Sequence, residues 1–174
     1  YIQPLHLTSH SYSLECYLKS LDQLGFSHYI ILDRENRLRK IVSSCIAHED
    51  RMKYHQNNTN KARLKQVFID TNKVEIDYDS KTLLEFLSDY DDEVSSIKNL
   101  LEKRNYLRLI YEKDIQYDPR VGYRKVCEFI DTKPKEVRID LSRTNPFPVK
   151  NMIENFEEVE SILKGTKYEW MLYD

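Results

Sequence analysis

Glycine and long apolar runs are both scarce in this sequence. It has 3 glycines among 174 residues, which excludes a collagen-like or linker-dominated chain. No apolar run approaches the roughly 20 residues that cross a bilayer, and no signal-peptide pattern of basic start, apolar stretch and small-residue cleavage site is present. We therefore expect a cytoplasmic protein without a membrane span.

Paired cysteines and clustered metal ligands are missing as well. The cysteines are Cys16, Cys45 and Cys127, an odd number without a C-x-x-C pair or a pair of neighbouring histidines. This pattern excludes a disulfide framework and a zinc site of the usual spacing. No metal is expected.

An excess of one charge is also lacking. The 27 basic and 29 acidic residues are mixed along the chain and give a net charge of −2. Such a balance creates no overall field toward nucleic acid or an anionic membrane. Nucleic acid is therefore not an expected partner, and any anion-binding site has to be local.

The apolar residues that are present alternate between strand-like and helix-like patterns. Residues 28–32 form a continuous β-branched and aromatic run, typical of a strand buried on both faces of a parallel sheet. A helical pattern follows, and residues 106–111 form a second such strand before a helix opened by Asp118 and Pro119. Strands separated by helices need crossover connections, so we predict one domain over residues 1–174 with a three-layer α/β fold and a largely parallel sheet.

Further elements are predicted outside these two strand–helix units. In chain order, we expect a strand at 1–7, a helix at 12–24, a polar loop at 48–65, a strand at 73–77 and helices at 82–87 and 94–101. The last two helices would form a hairpin around the acidic residues 89–92. The final helix is predicted to start at Asn155, with Glu158 completing a capping box.

Arg34 and Ser43 are the candidate anion-binding residues. Arg34 follows the first of the two strands, where a phosphate would meet a guanidinium and the free N–H groups of a helix start. Ser43 lies further along that helix and could donate its hydroxyl to the same anion. The alternative is that Arg34, Arg37, Arg39 and Lys40 form a solvated helix face.

Three more residues are candidates at the same sheet edge. His6 ends the first predicted strand, where an imidazole could act as a general base toward an alcohol, or could be a hydrogen-bonded histidine of the core. Tyr111 ends a strand and could stack on a base, although it could also be an ordinary strand-terminal aromatic. Glu112 could orient the nearby loops.

These segments resemble the sulfotransferase superfamily over most of the chain. Residues 29–43 (Tyr-Ile-Ile-Leu-Asp-Arg-Glu-Asn-Arg-Leu-Arg-Lys-Ile-Val-Ser) are similar to the family's strand, arginine and helical serine that hold the cofactor's 3'-phosphate, which implies that role for Arg34 and Ser43. Leu5-His6-Leu7 resembles the segment with the general base, although the lysine of the cytosolic enzymes is Pro4 here. Ile110-Tyr111-Glu112-Lys113-Asp114 resembles the stretch whose tyrosine contacts adenine.

The C-terminal end adds a branch-specific resemblance. Residues 144–147, 153–158 and 163–170 are similar to the end of bacterial, particularly cyanobacterial, sulfotransferases. The resemblance implies transfer of a sulfuryl group from 3'-phosphoadenosine 5'-phosphosulfate, without a metal, to an alcohol of a small molecule, lipid or carbohydrate. It also implies a sheet like that of P-loop nucleotide-binding proteins.

One part of the family pattern has no counterpart in this sequence. The family begins with a strand, a Gly/Ser/Thr-rich phosphosulfate loop and a helix, and nothing before His6 supplies them. The chain is therefore expected to be the C-terminal two-thirds of the family domain and to bind the cofactor weakly by itself. Two alternatives stay open, a non-catalytic interaction module and a P-loop kinase with an upstream Gly-Lys-Ser/Thr signature.

Overall fold

The computed structural model describes residues 7, 12–49, 63–76, 79–140, 143 and 145–173. Within these ranges the fold is mixed α/β, with a small parallel sheet flanked by helices. The helices are α1 (Leu14–Gln23), α2 (Arg37–Glu49), α3 (Leu83–Leu101), α4 (Pro119–Phe129), α5 (Val149–Met152) and α6 (Phe156–Leu163). The strands are β1 (His28–Asp33), β2 (Val74–Ile76), β3 (Asp79–Lys81) and β4 (Asn105–Ile110), and two short turns are π-helical (Tyr111–Ile115) and 3-10 helical (Glu169–Leu172).

The parallel sheet consists of β1 and β4. The two strands pair in register from His28 with Asn105 to Asp33 with Ile110. Both predicted strands are therefore confirmed, as is the parallel pairing that the crossover argument required. Because β1 and β4 are direct neighbours, any additional strand has to join at an outer edge of the pair.

The burial of β1 differs from the prediction. Residues at alternate positions of β1 are exposed to solvent, with Ile30 and Leu32 at 46% and 57% exposure. The expectation of burial on both faces is therefore wrong for the described part of the chain. A continuous apolar run indicates which residues favour a strand, but it does not show what covers them.

The predicted hairpin around residues 89–92 is also wrong, because α3 is a single helix of 19 residues. Thr82 and Glu85 form a capping box at its start, and no glycine or proline interrupts the acidic stretch. Lys81 lies 2.8 Å from Asp89 and Lys167 lies 2.8 Å from Asp91. These cations offset the repulsion among the carboxylates, so the helix continues.

β2 and β3 form a short antiparallel pair. The strand predicted at 73–77 is confirmed as β2, whereas β3 was not predicted. Its three residues, Asp-Ser-Lys, carry no apolar pattern that would indicate a strand.

The core lies where α2, α3 and the C-terminal helices meet. Its fully buried side chains are Leu38, Ile41, Val42, Ile69, Leu83, Leu87, Val149, Met152, Ile153, Val159, Leu163 and Leu172. Within the described ranges no helix combines the length and apolar character needed to cross a membrane.

The start of α6 follows Asn155 as predicted, but the capping box does not form. The Asn155 side chain instead accepts the N–H of Ile69 at 2.9 Å and donates to the carbonyl oxygen of Ile69 at 2.8 Å. Glu158 accepts hydrogen bonds from Asn155 and from the hydroxyl of Thr71. These side chains therefore tie α6 to the segment before β2, a tertiary role that the sequence spacing does not reveal.

Candidate functional site

The carboxyl ends of β1 and β4 place two turns side by side. Asp33 and Ile110 form the last register pair, so Arg34 and Tyr111 leave the sheet at the same level. Tyr111 begins the π-helical turn instead of ending the strand, and the N–H of Gln116 donates to its carbonyl oxygen at 2.8 Å. Ligands of parallel sheets bind beyond the carboxyl ends of the strands, and π-helical turns are frequent at functional sites.

Arg34 and Tyr111, both predicted to bind the cofactor, are in contact. The guanidinium carbon of Arg34 lies 4.5 Å from the centroid of the Tyr111 ring, a cation–π geometry. The Arg34 side chain is 23% exposed, and its buried Nε has no hydrogen-bond partner among the described residues. An anion can reach the guanidinium through the exposed part of the side chain, where it would gain a charge-assisted hydrogen bond.

Glu112 joins the two turns. Its carboxylate accepts the N–H of Glu35 at 2.9 Å and the N–H of Asn36 at 3.1 Å, at the entry to α2. One carboxylate oxygen also lies 3.6 Å from Nε of Arg34, an ion pair without a hydrogen bond. The backbone N–H groups that were predicted to bind a phosphate therefore donate hydrogen bonds to the Glu112 side chain instead.

The electrostatic surroundings of Arg34 contain cations as well as Glu112. Burial lowers the pKa of Arg34, and the positive charges of Arg39 and Arg143 lower it further, while Tyr111 and Glu112 act in the opposite direction. Arg143 was not singled out from the sequence. In the sequence it is recognisable as a basic residue next to the proline-rich segment 144–148.

Arg39 fixes that corner. Its Nη2 donates to the carbonyl oxygens of Asn145 and Phe147, each at 2.7 Å. Arg39 is 3% exposed and Arg37 is 6% exposed, so the alternative of a solvated basic face is wrong for both residues. Arg39 therefore holds the segment next to Arg143 against α2.

Asp33 forms the base of the site. Its carboxylate accepts hydrogen bonds from Nη1 of Arg37 at 2.6 Å and from Nε of Arg108 at 3.0 Å. Burial alone would raise the pKa of Asp33, but the hydrogen bonds from the two arginines outweigh it and hold the pKa below its ordinary value. Asp33 is therefore ionised at neutral pH and fixes the start of the β1–α2 turn.

The π-helical turn is held from its other side by Asp114. This carboxylate accepts the N–H of Ile110 at 2.7 Å and pairs with Lys125 of α4 at 2.6 Å. The hydrogen bond from Lys125 and then that from Ile110 lower the pKa of Asp114. At Gly122 an added Cβ would lie 3.1 Å from the carbonyl oxygen of Asp114, so α4 approaches the turn at a residue without a side chain.

Ser43, another predicted site residue, is not part of this contact. Ser43 is a partly buried residue of α2, about 9 Å along the helix axis from Arg37 at 1.5 Å per residue. His6 lies outside the described residues.

Metal ligands and disulfides do not contribute to the described part of the chain. No group of three or more His, Cys, Asp or Glu side chains within it could hold a metal ion. Cys16 and Cys127 are free thiols and Cys127 is buried, whereas Cys45 is partly buried.

Comparisons with known proteins were negative. No protein-family model matches the chain, and neither a curated protein nor a solved structure matches it. The side chains of the site are therefore the basis for assigning a function.

Proposed function

We propose that this chain is the nucleotide-binding part of a sulfotransferase that moves a sulfuryl group from 3'-phosphoadenosine 5'-phosphosulfate to an alcohol. The supporting observation is the contact between Arg34 and Tyr111, in which a partly exposed guanidinium lies against an aromatic ring. Guanidinium groups bind phosphates, and aromatic rings stack on bases. A nucleotide with a phosphate close to its base presents both partners together.

Each residue has a separate role in this proposal. Arg34 binds the 3'-phosphate, the charge of Arg143 strengthens that binding, and the hydroxyl of Ser43 is a second donor. Tyr111 contacts the adenine. Since Arg34 covers one face of the Tyr111 ring, the adenine uses the opposite face or the ring edge.

The chemical step in this proposal is an in-line displacement. His6 accepts the proton of the acceptor alcohol while the alcohol oxygen forms a bond to sulfur and the bond from sulfur to the 5'-phosphate oxygen breaks. The products are a sulfate ester and 3'-phosphoadenosine 5'-phosphate. The acceptor is a small molecule, lipid or carbohydrate, and we place the enzyme in the cytoplasm. Most of the polar segment 48–65, in which we expect the acceptor contacts, lies outside the described residues.

Calorimetric titration of 3'-phosphoadenosine 5'-phosphate into the protein tests this function. We expect Arg34→Ala to weaken binding by at least about tenfold, because a charge-assisted hydrogen bond contributes about 1.5–3 kcal/mol. Tyr111→Phe keeps the ring and should retain binding, whereas Tyr111→Ala should lose about 1–3 kcal/mol of stacking. Adenosine 5'-phosphate should bind more weakly than the bisphosphate.

Arg138 provides a matched control. Its side chain is 89% exposed and pairs with Asp140. Arg138→Ala should leave binding unchanged. If Arg138→Ala and Arg34→Ala weaken binding equally, or if the bisphosphate does not bind at all, the sulfotransferase proposal is wrong.

A non-catalytic interaction module is the second candidate. It is favoured by the open side chains of β1, where Ile30 and Leu32 are 46% and 57% exposed, because exposed apolar strands are frequent protein-binding surfaces. In this case the bisphosphate would not bind, and an Ile30→Lys, Leu32→Lys variant would lose a protein partner. A P-loop kinase would instead require magnesium and a nucleoside triphosphate.

A further inference from the structure

Glu112 lies where a ligand anion is expected at the entry to α2. Its two carboxylate oxygens accept two consecutive backbone N–H groups, those of Glu35 and Asn36, at 2.9 and 3.1 Å. Backbone N–H groups in this position commonly bind the oxygens of phosphate or sulfate. The carboxylate therefore reproduces, from within the chain, the contacts of a bound anion.

The same carboxylate reduces the positive charge that Arg34 offers to a ligand. It lies 3.6 Å from Nε of Arg34, close enough for an ion pair, yet none of the described residues forms a hydrogen bond with that Nε. The distance and missing hydrogen bond mean that Glu112 weakens the field of the guanidinium without satisfying its donor. The Glu112 side chain is 23% exposed, so an anion from solvent can approach it.

We propose that Glu112 is an internal competitor that limits the affinity of this site for anions. A ligand phosphate either displaces the carboxylate from the N–H groups of Glu35 and Asn36 or binds beside it against its negative charge. In both cases the charge of Glu112 opposes binding. This inference rests on the proposed function, since it concerns the same Arg34 site.

The inference predicts that removing one negative charge strengthens binding. Glu112→Gln is nearly isosteric but neutral, and its single amide oxygen leaves at least one backbone N–H for a ligand. We expect the affinity for 3'-phosphoadenosine 5'-phosphate and for inorganic pyrophosphate to rise by about tenfold or more, because a charge within a few ångströms acts strongly in a partly buried site. Asp140→Asn, at a 70% exposed side chain, is the matched control and should change neither affinity.

The measurement is calorimetric titration of both probes into the unaltered protein and the variants, with circular dichroism to verify folding. Glu112→Asp is a second variant, since its shorter side chain cannot hold both N–H groups, and it should strengthen binding in the same direction but less. It keeps the inference testable if the Gln variant does not fold.

The outcomes separate this inference from the proposed function. If the bisphosphate binds the unaltered protein but binds Glu112→Gln equally or more weakly, the inference is wrong and the function stands. If pyrophosphate binding rises in Glu112→Gln while the bisphosphate shows no preference over pyrophosphate, Glu112 is a competitor in a site that is not specific for this nucleotide. If no anion binds any variant, both are wrong.

Discussion

Replacing Asp33 by Asn tests whether a buried ion pair holds the base of the site. The Asp33 side chain is 2% exposed and pairs with Arg37 at 2.6 Å and with Arg108 at 2.5 Å. Removing one partner of a buried pair typically costs about 3–5 kcal/mol, because the remaining charge is left buried without compensation.

The expected loss for Asp33→Asn lies at the lower end of this range. The amide oxygen of Asn still accepts one hydrogen bond. The Arg108 side chain is 29% exposed and lies 3.9 Å from Glu35. Its charge would therefore remain partly solvated and close to a second carboxylate. The Arg37 side chain is 8% exposed, so solvent stabilises its charge less once the Asp33 carboxylate is removed. We therefore expect the free energy of unfolding to fall by about 3 kcal/mol.

Urea unfolding followed by circular dichroism at pH 7 measures this loss. With a slope of about 2 kcal/mol per molar urea, the midpoint should fall by about 1.5 M. Glu15→Gln is the control, because it removes a pair with Lys19 in which both side chains are more than half exposed. Its midpoint should not change measurably.

A loss below about 1 kcal/mol for Asp33→Asn would refute the reasoning, since that is the value of an ordinary surface pair. The hydrogen bonds to Asp33 would then be screened by solvent. A changed slope of the unfolding curve would instead indicate an altered denatured or native state, and the midpoint would no longer report the pair alone.

Three other predictions concern the surroundings of the site and the C-terminal part of the chain. Arg39→Ala, which removes the donor of the carbonyl oxygens of Asn145 and Phe147, should lower the free energy of unfolding by about 2 kcal/mol in the same assay, and an unchanged midpoint would contradict this role of Arg39. Asn155→Ala should cost about 2 kcal/mol because both main-chain groups of Ile69 lose their partner, and a thermal midpoint equal to that of the unaltered protein would argue against this contact. The pKa values of Asp33 and Asp114 are lowered on folding, so their stabilisation is present above the unfolded value of about 4 and is lost as the pH falls through the folded values. Thermal midpoints from pH 6 to 2.5 should therefore decrease at the acid end, and a constant midpoint would show that neither carboxylate gains stabilisation on folding.

The strands of the parallel sheet could be predicted because their signal is local. Residues 28–32 and 106–111 carry continuous β-branched and aromatic runs, and the helices between them required a parallel pairing. The helix break at 89–92 was wrongly predicted because charge density was taken as a helix end. The two lysines that pair with that stretch lie outside the helix. Lys81 precedes the helix start, and Lys167 is distant in sequence.

The candidate site could be predicted only in part for the same reason. Arg34 and Tyr111 follow the carboxyl ends of parallel strands, so their proximity follows from topology. The hydrogen bonds that Glu112 accepts come from backbone N–H groups 76 and 77 residues away in sequence, and such contacts have no sequence signature. Arg143 is close only because Arg39 holds the neighbouring corner.

The hydrogen bonds already made at this edge decide which kind of ligand it can accept. The carboxylates of Asp33, Glu112 and Asp114 each accept at least two donors of the protein. The Arg34 guanidinium is partly exposed, and Arg143 adds a second positive charge to its surroundings. A ligand that presents acceptor oxygens meets two positive charges and a charge-assisted donor, whereas a cation gains nothing comparable from carboxylates that are already occupied. The edge formed by β1 and β4 is therefore matched to an anion, although its nearest side chains include three acidic residues.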